Sequence, residues 1–203
     1  MPRAGLSRPA VVTAAAELAD ETGFDRLTLA ALAARLGVRL PSLYKHIDSL
    51  DGLRRDVAVR AVTELGAAMS AAAIGRAGSD ALRAVADAYR HYGQSHPGRY
   101  AATVRAPAVD DGEHTAAAET VLRVVLAVLA GYGLTGNDAI DATRALRATL
   151  HGFVALEARG GFGMPVDVNR SYGRLVDGFD ATLHRWADTD QVSPTTSPER
   201  TPR

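Results

Sequence analysis

Across most of its length this chain repeats apolar residues at spacings of three and four, and glycine or proline stands where each repeat stops. Such spacing gathers side chains on one face of a helix, whereas a half-buried strand alternates strictly, and no stretch here does so. The fold class is therefore all-α. From Arg8 to Thr22 the inner face is Val11, Ala15, Leu18 and Ala19, with Ser7 as N-cap, Pro9 in the first turn and Gly23 as the stop. Thr28 caps a second helix with Leu29, Leu32, Ala33 and Leu36 inward, and Gly37 supplies a left-handed end. A short third helix is expected over about 40–46, with Leu40, Leu43 and Ile47 as inward anchors.

Asp48 or Ser49 caps a fourth helix over about 51–73, long enough to cross a domain, with Leu53, Val57, Ala61, Leu65 and Met69 on one side. Leu82, Val85, Tyr89 and Tyr92 trace a fifth that His96-Pro97-Gly98 interrupts, and a short segment over 99–105 follows. Residues 107–114 read as a loop; 115–131 is apolar on nearly all sides, as expected of a helix surrounded by others. Two long helices, about 137–159 and 166–187, flank Gly160-Gly161-Phe162-Gly163, giving about nine helices in all. From 188 to 203 the chain is Pro, Ser, Thr and charge without periodicity, and a disordered tail is expected.

The absence of cysteine removes disulfides, thiolate nucleophiles and Cys-based metal sites. The longest apolar stretch, 121–134, is fourteen residues and contains Arg123, short of the about twenty that a membrane span needs. No apolar signal core opens the chain, so a cytoplasmic location without membrane contact is expected. Formal net charge is zero, which by itself points to no partner. Charge is nevertheless uneven: residues 24–47 carry four basic side chains against the single acid Asp25, and the one lysine of the chain, Lys45, falls there.

Two helices joined by a tight glycine-bearing turn near 37–39, the second short and polar outside, have the layout of a helix-turn-helix whose second helix enters the DNA major groove. A 100° step puts Arg39, Ser42, Lys45 and His46 on the outer or flanking faces, with Tyr44 to the side. Arginine can fork onto guanine or a phosphate, serine can meet a base edge, and lysine is a point charge for phosphate. A small helical bundle shows such turns too, and spacing alone leaves a solvated basic face as the alternative.

The order of residues adds to this. Gly23-Phe24, Leu27-Thr28, Leu32-Ala33, Leu36-Gly37-Val38 and above all Ser42-Leu43-Tyr44-Lys45-His46-Ile47 resemble the TetR family of bacterial transcriptional regulators. The resemblance implies a three-helix DNA-binding head over 7–60, a ligand-binding and dimerisation body over 61–187, and a homodimer on a palindromic double-stranded DNA operator. It implies that Thr28 sets a helix N-terminus at a phosphate, that Tyr44 and His46 make backbone or packing contacts, and that Arg39, Leu40, Pro41, Ser42 and Lys45 face bases. One departure is Leu50, where many relatives carry a phosphate-touching lysine; Arg54 or Arg55, a turn later, are the nearest replacements.

The resemblance further implies that the last two long helices pair with their copies in a second subunit. The pattern agrees: Tyr172, Leu175, Val176, Phe179, Leu183 and Trp186 form one stripe, and Leu150, Phe153 and Val154 another, with Gly152 allowing close approach. His151-Gly152, Leu156-Glu157 and the following glycines also resemble a C-terminal domain type found in part of the family. A pocket for an unknown small-molecule effector is expected between the fourth helix and the core helices, with Met69, Tyr89, Tyr92, Tyr100, Arg105 and Phe153 as candidates.

Other functions find little in the sequence. No two of the six histidines show the i, i+4 pairing with a carboxylate of helical zinc sites, and no metal or other cofactor is expected. Asp110-Asp111-Gly112-Glu113-His114 is the one acidic run, and in a polar loop its carboxylates are expected to be solvated. No phosphate loop, nucleophile elbow or dinucleotide fingerprint occurs, so an enzyme is not expected. The expected function is a DNA-binding repressor released by a small molecule, with an activator on the same head open. The alternatives are a helical small-molecule-binding or catalytic protein whose head ignores DNA, and an adaptor built on the exposed stripes.

Overall fold

A computed structural model describes residues 6–190, and among them the protein is helical with no strand. The first helix, α1 (Arg8–Thr22), begins where Ser7 Oγ accepts from the Ala10 amide and ends at Gly23, whose φ of 99° stops it. After a single 3-10 turn, Thr28 Oγ1 accepts from Ala31 N at 3.2 Å and starts α2 (Leu29–Leu36). Gly37, at φ 64°, closes α2 with bonds from its own amide to Ala34 O and from Val38 N to Ala33 O. Only the left-handed region permits this closure, so the glycine fixes the angle at which the next helix leaves.

That helix, α3 (Leu40–Leu43), is shorter than the expected 40–46: residues 44–46 continue as turns, with His46 N bonded to Leu43 O. Leu40 is not an inward anchor. It is 40% exposed at the first position of α3, while Leu43 and Ile47, one turn apart, are buried. They share a core with Val11, Ala15, Leu32, Leu53, Val57 and Ala61.

Ser49 Oγ accepts from Gly52 N at 3.0 Å and starts α4 (Leu50–Ala73), a helix of roughly 36 Å. Its first half belongs to the head core, whereas Leu65 and Met69 belong to the body core. The body continues with α5 (Gly78–Ser95), α6 (Pro97–Ala102), α7 (Gly112–Ala130), α8 (Gly136–Ala158) and α9 (Val168–Asp190). The short α6 lies against α1: Ala102 is buried in the head core, and the Arg99 amide and Nε both donate to the Asp20 carboxylate, at 2.8 and 2.7 Å.

Three expectations fail here. Helix α7 starts at Gly112, within the expected loop, because Asp111 caps it by accepting from His114 N at 3.0 Å. Nor is α7 surrounded: His114, Ala117, Val125, Val128 and Leu129 are buried, while Leu122 is 43% exposed. At the other end α9 runs to Asp190, since neither glycine nor proline occurs between Trp186 and Pro194. The rest of the expected tail, 191–203, lies outside the described residues.

Candidate nucleic-acid interface and effector cavity

On the head, the buried pair Leu43 and Ile47 holds the residues around them at the surface. Arg39, Pro41, Tyr44 and Lys45 are exposed, with Tyr44 at 54%, and Ser42 and His46 are half-buried. Arg39 occupies the N-cap of α3 in extended conformation. Thr28 is exposed at the start of α2, its hydroxyl used as the cap. Arg39, Tyr44, Lys45, Thr28 and the exposed Leu40 thus flank one small helix, and among the described residues no carboxylate is ion-paired with Arg39 or Lys45.

The arginines expected to replace a cation at Leu50 are committed elsewhere. Arg54 donates to the carbonyls of Asp25 and Leu27, at 3.0 and 3.2 Å. Arg55 reaches back into the body: Nε donates to Asp111 at 2.7 Å, and one terminal nitrogen donates to Glu113 at 2.7 Å and to Asp56 at 3.0 Å. Asp56 in turn is forked by Arg8, at 2.9 and 3.0 Å. Hydrogen bonds from Arg55, then from the His114 amide, hold the Asp111 carboxyl well below the usual carboxylate range. Within the acidic run expected to be solvated, Asp110 is exposed and the Glu113 side chain is 69% exposed, but the Asp111 side chain is only 10% exposed and joins head to body.

Behind this joint a cavity of about 340 Å³ lies between α4, α5, α7, α8 and the segment 103–107. Its walls are Val62, Leu65, Met69, Tyr89, Val121, Val125, Leu146 and Leu150, with Thr143, Arg105, Arg147 and His114 as the main polar groups. Among the expected pocket residues, Met69, Tyr89 and Arg105 border it, and Tyr92, Tyr100 and Phe153 do not. Tyr92 turns away to donate to Glu64 at 3.1 Å. Tyr100 bonds Tyr89 Oη at 3.2 Å and His151 Nδ1 at 2.7 Å, and Phe153 stacks among Phe162 and Tyr172, with centroids 4.7 and 5.0 Å away. Burial pushes the Tyr89, Tyr92 and Tyr100 hydroxyls up, so all three stay neutral.

His114 and Arg147 were not among the expected residues. The sequence does carry a signal for His114: with Asp111 taken as an N-cap, His114, Ala117, Val121 and Val125 share one helical face. His114 is 1% exposed, its Nδ1 lies 3.9 Å from Asp111 Oδ2, and its buried Nε2 has no hydrogen-bond partner among the described residues. Burial, first, and then the positive charges of Arg55 and Arg105 lower its pKa, against the opposing pull of Asp111.

The expected interface residues divide. Leu150, Val154, Tyr172, Val176 and Leu183 are already buried within the protomer, because this edge of α8 and α9 faces α5 and the cavity. Tyr172 donates to Ala86 O, and Val154 packs so closely on α5 that a Cβ at Gly93 would come within 2.5 Å of it. Gly152, Leu175, Phe179 and Trp186 remain partly exposed, the last three in line at spacings of four and seven.

A head presenting exposed cations beside a short helix, hydrogen-bonded to a helical body with an apolar cavity, defines a DNA-binding regulator of transcription that carries its own sensor. The chain belongs to the TetR family: residues 11–57 match the profile of bacterial regulatory proteins of the tetR family, and residues 82–179 that of the tetracyclin repressor-like C-terminal domain. It is 45% identical to an HTH-type transcriptional regulator of Mycobacterium tuberculosis over 77% of this chain and 72% of that one. With the HTH-type transcriptional regulator YobS of Bacillus subtilis it shares 37% identity, covering 84% and 88% of the two chains. In fold it is similar to a protein of unknown function from Rhodococcus (TM-score 0.75, 23% identity, 91% of this chain and 99% of that one). A TetR variant from Acinetobacter baumannii, solved with minocycline, is also similar (TM-score 0.67, 24% identity, 90% and 99%).

Proposed function

We propose that this regulator is a homodimeric repressor that leaves a palindromic operator when a small molecule fills the cavity between α4, α7 and α8. The observation that carries this is the joint at Arg55. The helix that enters the head is hydrogen-bonded to the first turn of α7, a wall of the cavity, so occupancy and head position share one set of contacts. Arg39, Leu40, Pro41, Ser42 and Lys45 meet base edges, Thr28, Tyr44 and His46 meet the backbone, and two heads about 34 to 36 Å apart reach successive major grooves. Gly152, Leu175, Phe179 and Trp186, with the exposed Leu156, form the two-fold contact. The effector acts by its differential affinity for the two head positions, on the order of 1 to 3 kcal/mol. The protein works in the cytoplasm and by binding rather than catalysis, which fits the structural use of Asp111 and Glu113.

The test is fluorescence anisotropy of the purified protein against fragments of its own upstream region, then against a genomic fragment selection, at two salt concentrations. Tight, salt-sensitive binding to a palindromic fragment, lost in Tyr44→Ala, Lys45→Ala, is the expected result. Only non-specific affinity across the whole selection would refute it.

A further inference from the structure

We propose that the cavity takes an apolar carboxylic acid, whose carboxyl group shares one proton with His114 Nε2. This rests on the cavity being the effector site. Most of the lining's polar groups find partners in the protein: Tyr89 meets Tyr100, Thr143 donates to Ala139 O, Thr103 to Tyr100 O, and Arg105 forks onto Asp51. His114 Nε2 has none among the described residues, although a buried polar atom left unpaired costs free energy and is rare in folded proteins. The lining bears Arg147 and the Asp51-paired Arg105 without one carboxylate of its own, so its potential favours an anion over a cation.

The carboxyl group follows from the surroundings of the imidazole. The groups facing it are the Asp111 carboxylate from the start of its own helix, Arg55 from α4 and Arg105 from the segment after α6. With the proton on Nδ1, which lies 3.9 Å from Asp111 Oδ2, Nε2 offers a lone pair, and a protonated carboxyl donates to it. With the proton moved to Nε2, an imidazolium lies between the Asp111 carboxylate and the ligand carboxylate. Both arrangements contain the same atoms and one proton, so a carboxylic acid satisfies Nε2 in either. An alcohol satisfies only the first, and a quaternary ammonium neither. Above neutral pH the free acid is ionised and His114, with its lowered pKa, is neutral, so binding takes one proton from solution.

The experiment is calorimetric titration of the full chain with decanoate, decanol and decyltrimethylammonium, in two buffers of different ionisation enthalpy, with operator anisotropy on the same preparation. Expected are decanoate binding about tenfold tighter than decanol, uptake of about one proton per decanoate near pH 8, and a dissociation constant rising about tenfold per pH unit above that. His114→Phe should abolish the proton uptake and bring decanoate to the level of decanol. The wild-type buffer comparison stands without any variant. Decanoate binding without proton uptake, decanol binding equally well, or no decanoate binding by a chain that still binds its operator would each overturn the assignment. Loss of operator binding alone would instead remove the repressor function and leave the acid site standing.

Discussion

Gly98 is a point of close approach between head and body, and a single methyl group there tests how rigid their joint is. A Cβ at residue 98 would lie 2.0 Å from the Ala19 carbonyl oxygen and 2.1 Å from its carbon, where contacts under 3.0 Å essentially never occur. Both partners are backbone, so Gly98→Ala must push α6 away from α1 by roughly an ångström. That displacement strains the Arg99–Asp20 fork and draws Ala102 out of the head core. Overpacking costs about 1–3 kcal/mol, and with no side chain to yield the upper end applies. At about 2–4 °C per kcal/mol for a chain of this size, the melting temperature should fall by about 6–12 °C. The control is Gly52→Ala, whose Cβ meets only Ser49 Oγ at 3.4 Å; alanine favours the helix there, and the variant should melt at or above wild type. Thermal unfolding followed by circular dichroism, with operator affinity on the same samples, reads both effects. A Gly98→Ala protein melting within about 2 °C of wild type with unchanged operator affinity would refute the tight joint.

Three further outcomes follow from the same contacts. The Asp111 pKa is depressed in the folded chain, so its contribution is present above the ordinary value of about 4 and lost as pH falls through the depressed one. Arg55→Gln should therefore lower stability at neutral pH and move acid unfolding to higher pH, and coincident acid titrations of the two proteins would count against the joint. Because Arg54 and Arg55 are bound within the protein, Leu50→Lys should add one phosphate contact per subunit, steepening the dimer's salt slope by about 2; an unchanged slope would show that the site does not reach a phosphate. Leu146→Trp fills the cavity and should leave operator affinity intact while abolishing release by any effector found in a screen; retained release would place the effector elsewhere.

The head was legible because its determinants are local. Thr28 and Ser49 cap, Gly23 and Gly37 stop, and Leu43 and Ile47 repeat at helical spacing, so each helix is specified by residues within about one turn of its ends. The exception, Leu40, shows the limit of periodicity: in a helix of four residues no full inner face exists, and its first position projects past the core. The body's stripes were legible as stripes but not as to what covers them. Tyr172 and Leu175 are neighbours on one apolar face, yet one is consumed inside the protomer and the other is left at its surface.

The sequence by itself determined an all-α chain with a DNA-reading head, since spacing, caps and the Ser42–Ile47 block are short-range properties. Tertiary structure alone decided which distant groups meet. It brought Arg55 to Asp111, 56 positions later, and turned one carboxylate of an acidic run expected to be solvated into the link between sensor and head. It also set His114 in an apolar wall, with a nitrogen that no described residue satisfies, because burial and partnership depend on helix packing that no local pattern encodes.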